Sequence, residues 1–232
     1  MYKNKSILAI IPARGGSKRI PKKNTKLFCN KPLIQYSVDA AIKSKYIDKL
    51  VVSTDDPIIK DLLKEIQIIQ RPDELARDDS SSISVYYHVL EYLKETENYI
   101  PDIIVALQPT SPLREVEDID SQIEKFINYD ADSSCSVTRV RQHPAYVVRM
   151  DSENNAFPID EQNIHKRSQD LPELYIENGA VFCFKLNTLK VLKTQYGPKH
   201  KVFAMDEIKS IDIDEELDWE FAELIMNKKE DV

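Results

Sequence analysis

Residues 7–11 read ILAII. Five successive apolar side chains leave no polar face for solvent, so a strand here has both faces covered, as strands of a helix-flanked parallel sheet do. The run empties at Pro12 into a loop with two adjacent glycines, in a chain that has four glycines altogether. A row of cations follows. Between Pro12 and Phe28 stand six basic residues (Arg14, Lys18, Arg19, Lys22, Lys23, Lys26) and no acidic one, against a net charge of −7 for the whole chain. That local reversal of sign needs an anionic partner. Gly15 and Gly16 mark a place where backbone comes close to something or turns with φ > 0. Strand, glycine loop and clustered Lys/Arg describe a phosphate cradle made of backbone N–H groups and cationic side chains. The string is neither GxxxxGK[ST] nor GxGxxG, and a surface turn followed by a solvated basic patch is the plain alternative.

The rest of the chain alternates in the same manner. Leu33, Ile34, Val38, Ala41 and Ile42 recur at helical spacing and predict an amphipathic helix over PLIQYSVDAAIKSK, with Pro32 near its start. KLVVSTDD predicts a second strand, Ile58, Ile59, Leu62, Leu63 and Ile66 a short helix, and Ile66 to Ile69 a third strand. This β-α-β-α-β order indicates a parallel sheet with right-handed crossovers. RPDELARDDSSSIS then leads into a helix with Val85, Val89 and Leu93 on one face, its serines supplying capping hydroxyls. DIIVALQP reads as a central strand that ends in the polar turn QPTSPLR, and open α/β sheets place ligands at such carboxyl ends. Val116, Ile119, Ile123, Phe126 and Ile127 predict another helix, and SSCSVTRV another strand. From Arg141 to about Asp170 the pattern changes to a hairpin around DSENN that projects from the sheet. AVFCF, LNTLKVLK and KVFAM return as strand, helix and strand. The expected fold is α/β, three-layered and Rossmann-like, with a mostly parallel central sheet and a small hairpin, in a single domain over residues 1–232.

Composition narrows the function. No apolar stretch approaches the ~20 residues of a membrane span, and MYKNKS lacks a signal peptide's apolar region, so no membrane partner and a cytoplasmic location are expected. One short basic loop in an acidic chain argues against nucleic acid as partner. Cys29, Cys135 and Cys183 are odd in number and widely spaced, which suggests neither a disulfide framework nor a zinc signature, and small core residues instead.

The second informative stretch is SIDID. In extended backbone Ile211 and Ile213 face one way, towards the core, while Asp212 and Asp214 face the other. Two carboxylates about 7 Å apart on one face can converge on a hard cation. Alternatively, Asp214 is an N-cap for the helix whose apolar face is Leu217, Phe221, Leu224 and Ile225.

Five separated blocks, PARGGSKRIPKKN, RPDELARD with SSSIS, LQPTSPLR, RSQDLPELYIENGA and SIDIDEELDWEFAE, together resemble a known family in order and spacing. It is the CMP-sialic acid synthetase (acylneuraminate cytidylyltransferase) family, which includes CMP-legionaminic and CMP-pseudaminic acid synthetases. The resemblance implies a nucleotidyltransferase fold and the activation by CTP of a nine-carbon 2-keto sugar acid. It further implies that Ala13, Arg14, Gly15, Ser17, Lys18, Lys23 and Asn24 hold the triphosphate and ribose, and that Arg71 approaches the cytosine ring. Ser82, Gln108, Thr110 and Ser111 would lie between nucleotide and sugar, Arg167 and Gln169 would meet the sugar acid, and Asp212 and Asp214 would hold Mg²⁺. Arg14, Lys23 and Asp214 carry the catalytic expectation, with Asp214 as the candidate to receive the hydroxyl proton. The hairpin would pack against a second copy and help close that partner's sugar pocket, which implies a homodimer.

Two departures stand out. Many sialic-acid enzymes that this sequence resembles carry an arginine just before (P/E)NGA, where this chain has Ile176, and Arg19 replaces a small residue often seen after GSK. One lost cation on the sugar side suggests a legionaminic or pseudaminic acid as an alternative substrate. A Rossmann oxidoreductase and a non-catalytic nucleotide-binding domain are the rival classes: the first lacks its GxGxxG, and the second has no use for a carboxylate pair.

Overall fold

The computed structural model describes residues 2–230, the side chains of residues 229 and 230 excepted, so residues 1, 231 and 232 of the expected domain lie outside the described residues. In chain order the elements are β1 (Ile7–Pro12), β2 (Leu27–Phe28), β3 (Lys31–Pro32), α1 (Leu33–Lys43), β4 (Lys49–Thr54), α2 (Pro57–Leu62), β5 (Gln67–Gln70) and α3 (Ser82–Glu97). There follow β6 (Ile103–Ala106), α4 (Val116–Asn128), β7 (Ser133–Arg139), β8 (Val148–Met150), β9 (Ala156–Pro158), β10 (Tyr175–Lys185), α5 (Leu186–Leu192), β11 (His200–Ala204) and α6 (Glu216–Glu230).

β1 lies inside a seven-stranded sheet of order β11-β7-β10-β6-β1-β4-β5, and Ile7 to Ile11 are fully buried. It pairs in parallel with β4 and with β6, Ile10 standing opposite Val51 on one side and Ala106 on the other. The β4–β5 and β7–β11 pairs are also parallel, while β10 runs antiparallel to both β6 and β7. From β1 the chain crosses to β4 on one side and later returns to β6 on the other. The carboxyl ends of β1 and β6 therefore flank a topological switch point, where loops diverge and leave a crevice.

Helices cover both faces. Ile34 and Val38 of α1, Ile59 of α2 and Ile119, Ile123 and Phe126 of α4 pack on one face with Ile7, Ala9 and Ile11. Tyr86, Val89, Leu90 and Leu93 of α3 and Leu189 of α5 pack on the other with Leu8 and Ile10. Among the described residues no helix is long and apolar enough to cross a membrane. β8 and β9 form the antiparallel hairpin expected from DSENN.

Several boundaries differ from expectation. Ile42, Ile58 and Leu62 are exposed although their spacing suggested core. In α6 the inward face is Trp219 and Ala222, with Ile225 and Met226, whereas Leu217, Phe221 and Leu224 are exposed. Two apolar stripes compete on this helix. The one bearing Trp219 prevails because the indole packs edge-on against Phe28 at 5.5 Å and receives the Lys26 ammonium 4.3 Å from its ring centre. β2 and β3 make a two-residue hairpin whose central residues, Cys29 and Asn30, have φ of 45° and 64°, the mirror-image turn that matches strand twist.

β10 is broken by a register shift between Glu177, opposite Val137, and Phe182, opposite Cys135. Asn178 holds the shift together by donating to Ser210 Oγ (2.8 Å) and accepting from Ser136 Oγ (2.5 Å). Gly179 adopts φ 72°, and a Cβ there would lie 2.9 Å from Gln108 Oε1. Gly179→Ala is accordingly expected to cost about 1–2 kcal/mol from the left-handed backbone alone. That corresponds to a melting temperature lower by roughly 2–4 °C per kcal/mol, and wild-type melting would contradict this account of the bulge.

Candidate active site

A cavity of about 520 Å³ opens at the switch point. The loop after β1 supplies Arg14, Ser17, Lys18, Lys23 and Asn24, the strand end after β5 supplies Arg71, α3 supplies Ser82 and Tyr86, and the turn after β6 supplies Gln108 and Thr110. Asp214 closes it from the other end of the chain.

Local sequence shapes the loop. Asn24 is buried and donates its amide to Arg14 O at 2.9 Å, and Ile20 plugs the small core beneath α6. Gly15 is needed for close approach, since a Cβ would meet Asp56 Cβ at 3.1 Å, but its N–H already donates to Asp55 Oδ1 at 3.0 Å. Around Gly16 there is open space, and neither loop glycine has positive φ. The cradle expected from backbone N–H groups is therefore, at Gly15, committed elsewhere, and the loop presents its charge through side chains. Ala13 is fully buried and spent on the sheet, its N–H bonded to Ser53 O at 2.9 Å.

The cations are paired within the chain. Asp78 takes Arg14 at 2.8 Å and also Lys18, and these two hold its carboxyl below the ordinary range, Lys18 contributing most. Asp214 takes Lys23 at 3.1 Å and Arg19 at 3.2 Å, and the Lys23 ammonium also donates to Ile213 O at 2.6 Å. Arg71 is buried and donates to Ser53 O (2.8 Å) and Ser53 Oγ (3.3 Å); burial pulls its pKa down to about 10, Arg14 adding to the fall and Asp55 opposing it.

The aspartates of SIDID do not share one environment. Ile213 N donates to Thr110 O at 2.8 Å, which ties this segment to the turn after β6. Asp212 is half-buried, its Oδ1 enclosed and without a hydrogen-bond partner, its Oδ2 3.6 Å from where a Gly179 Cβ would stand. Burial raises its pKa, the charges of Asp214 and Asp218 add to the rise, and Thr110 and Lys23 oppose it. Asp214 is exposed and is not the helix cap: the N–H groups of Asp214 and Glu215 both donate to Asp218 Oδ2, at 3.0 and 2.8 Å. An enclosed carboxylate oxygen with no donor fits an oxygen-seeking divalent cation.

Beside Ala13 and Gly15, four expected residues lie outside the cavity lining: Asp212, Ser111, Arg167 and Gln169. Ser111 is buried outside the cavity lining, its hydroxyl without a hydrogen-bond partner. Arg167 and Gln169 are exposed on the short turn of residues 168–170 and do not line this chain's cavity; Arg167 is bonded to Asp170 at 2.7 Å. Two further residues went unassigned from sequence. Asp78 was an acidic residue in a polar stretch, and its pairing with Arg14 and Lys18 needs the fold. Arg114, the last residue of QPTSPLR, is buried and donates to Ala180 O (2.6 Å), Gln108 O (3.2 Å) and Ser37 Oγ (2.5 Å). It fastens the Gln108 turn and the β10 bulge to α1.

Comparison with known proteins places the chain in a family. The chain is 33% identical over 225 residues to a CMP-N,N'-diacetyllegionaminic acid synthase of Legionella pneumophila, covering 95% of this chain and 96% of that one. It is 33% identical over 224 residues to a pseudaminic acid cytidylyltransferase of Campylobacter jejuni, with 94% and 95% covered. An N-acylneuraminate cytidylyltransferase of Streptococcus agalactiae is 32% identical over 89% of this chain, which spans about half (50%) of that relative's length. A solved CMP:2-keto-3-deoxy-manno-octonic acid synthetase complexed with CTP shares the fold, with a TM-score of 0.69 at 17% identity, over 97% of this chain and 99% of that one. The cytidylyltransferase family model matches residues 8–228, and the chain belongs to that family.

Proposed function

We propose that this chain transfers the cytidylyl group of CTP to a nine-carbon 2-keto sugar acid of the N-acylneuraminate type, releasing diphosphate. The observation that carries this reading is the meeting of the basic loop and Asp214, from the carboxyl-terminal segment, across one cavity. The relatives' names divide among N-acylneuraminate, pseudaminic and diacetyllegionaminic acids at nearly equal identity. Ile176, exposed at the head of β10 where related sialic-acid enzymes carry an arginine, favours legionaminic or pseudaminic acid as the second reading.

In this mechanism the anomeric hydroxyl attacks the α-phosphorus; one P–O bond forms, the P–O bond to the β-phosphate breaks, and the hydroxyl proton passes to the aspartate pair. Arg14, Lys18 and Lys23 exchange their internal carboxylates for phosphate oxygens and so stabilise charge that develops on the leaving group. Arg71, held rigid by Ser53, presents its guanidinium edge to the base. Within the pair, burial of Asp212 favours its protonated form, which suits it to accept the proton. Asp212 and Asp214 would hold Mg²⁺, which supplies charge neutralisation between the carboxylates and the triphosphate. Arg167 and Gln169, outside the lining of their own chain's cavity, and the exposed Met150, Phe157 and Ile159 around the hairpin support a homodimer in which this region reaches a partner.

The direct test is diphosphate release with CTP, Mg²⁺ and a panel of sialic, legionaminic, pseudaminic and eight-carbon ulosonic acids. Release with none of the nine-carbon acids would refute the proposal, and light scattering showing an active monomer would refute the dimer. Asp214→Asn is expected to abolish turnover with the fold intact, and Arg14→Ala to raise KM for CTP more than for sugar. Asp78→Asn should lower KM for CTP a few-fold by removing the carboxylate that competes for Arg14 and Lys18. For Asp212 the sign follows from its raised pKa. The native state binds that proton more tightly than the unfolded chain, so the stabilisation is present at low pH and lost as pH rises from 3.8 through the native value. At pH 7 without divalent ions Asp212→Asn should therefore melt above wild type while losing activity; a lower melting temperature would contradict the desolvation argument.

A further inference from the structure

On the β11 side of the sheet, away from the switch point, three side chains from three strands converge. Cys135 of β7 is fully buried, Glu177 stands where β10 loses register, and His200 opens β11. Cys135 Sγ lies 3.3 Å from Glu177 Oε1 and 3.5 Å from His200 Nε2, and one donor atom from each residue lies within 4.8 Å of the other two. A tetrahedral zinc with Zn–S near 2.3 Å and Zn–N near 2.0–2.1 Å sets sulfur and imidazole nitrogen about 3.5 Å apart. The observed separation is that of two vertices of such a tetrahedron.

The residues around the three are arranged as supports. His200 Nδ1 lies 2.8 Å from Ser133 Oγ, which also accepts the Gly197 N–H at 2.7 Å. In the tautomer that donates Nδ1–H to Ser133, the Nε2 lone pair faces Cys135. The second carboxylate oxygen of Glu177 accepts the Tyr196 hydroxyl at 2.9 Å. Ligating imidazoles and carboxylates are oriented by hydrogen bonds of this type. Glu177 is exposed and His200 half-buried, so the cluster is open to solvent on one side. The sequence separations, 42 from Cys135 to Glu177 and 65 from Cys135 to His200, carry no zinc signature; sheet pairing assembles the set.

We propose that Cys135, Glu177 and His200 form a Zn²⁺ site with one position left for solvent, chemically distinct from the oxygen-only Asp212–Asp214 pair. Thiolate and imidazole select zinc over magnesium. Binding forms the Zn–S bond and releases the Cys135 thiol proton to solvent, one proton per ion. An ion here joins β7, β10 and β11 and fixes the strand two residues before Gly179, the glycine that backs Gln108.

The test is titration of the full chain with Co²⁺, which reports thiolate coordination by sulfur-to-cobalt charge-transfer absorption, followed by displacement with Zn²⁺. The expected result is one equivalent of Co²⁺ with that absorption, unchanged by excess Mg²⁺ and by Cys29→Ser, and lost in Cys135→Ser and in His200→Gln. Ser133→Ala should weaken binding roughly 10- to 100-fold, and Glu177→Gln, an exposed change that leaves the core intact, should weaken it as well. Absence of the absorption in the wild-type chain would overturn the proposal. So would its survival in Cys135→Ser or His200→Gln, or its displacement by Mg²⁺.

Discussion

The Lys23 ammonium bonds Ile213 O and Asp214, residues 190 and 191 positions later in the chain. Its side chain is only 13% exposed, although that of Asp214 is 54% exposed, and such a cation needs both oxygens to offset its desolvation. The rest of the cavity depends on this closure. It draws the SIDID segment against the turn after β6, where Ile213 N bonds Thr110 O, and it seats Ile213 in the core that Trp219 and Phe28 complete. With the Lys26–Glu216 pair and the Phe28–Trp219 contact, it brings the basic loop and the acidic segment to one crevice. α6 then acts as a lid on the loop's underside, a task for which Trp219 and Ala222 are shaped and Leu217 and Phe221 are not.

A second framework fixes the other wall. Arg114 is a buried cation whose hydrogen bonds go to two carbonyls and a hydroxyl, and burial pulls its pKa down to about 10. It binds the backbones of Gln108 and Ala180 at once, and between them lies the left-handed Gly179. Desolvated Arg114, bulged β10 and orphaned Asp212 Oδ1 each lower stability locally, and they lie next to one another. Such strain persists where the surrounding structure over-determines it, and it concentrates at sites built for function.

Much of this was legible in sequence because a few patterns are governed by local rules. ILAII could only be a strand covered on both faces, and the sign reversal between Pro12 and Phe28 marked the loop before any fold was known. Asp212 and Asp214 alternate with the partly buried Ile211 and the buried Ile213, as extended backbone requires. The failures have physical causes as particular as the successes. Both stripes of α6 are apolar, and only the position of Phe28, far away in sequence, decides between them. The Cys29–Asn30 turn lacks glycine, the usual signal for φ > 0. Gly15 looked like an anion-binding amide until Asp55, forty residues on, claimed its N–H. Arg114 and Asp78 carry no local pattern at all, since their partners are set by strand order, and Arg167 and Gln169 stand on a turn that does not fold back over its own cavity.

Pairing within the cavity explains how an acidic chain can carry a cationic pocket. Arg14 and Lys18 share Asp78, and Arg19 and Lys23 share Asp214, so two carboxylates offset part of the charge of four loop cations before any ligand arrives. These are mostly half-exposed pairs in a water-filled cleft, each weak by itself. A polyphosphate brings several anionic oxygens at once and can replace Asp78 on two cations in a single event, which frees that carboxylate to solvent. Asp214 differs, because it lies beside a second carboxylate whose burial already disfavours charge. Losing Arg19 and Lys23 to a ligand would leave two neighbouring anions uncompensated. The exchange is therefore favourable on the Asp78 side by itself, whereas on the Asp212–Asp214 side it requires a new positive charge, and that asymmetry is the physical argument for the proposed divalent cation standing at one end of this cavity and not at the other.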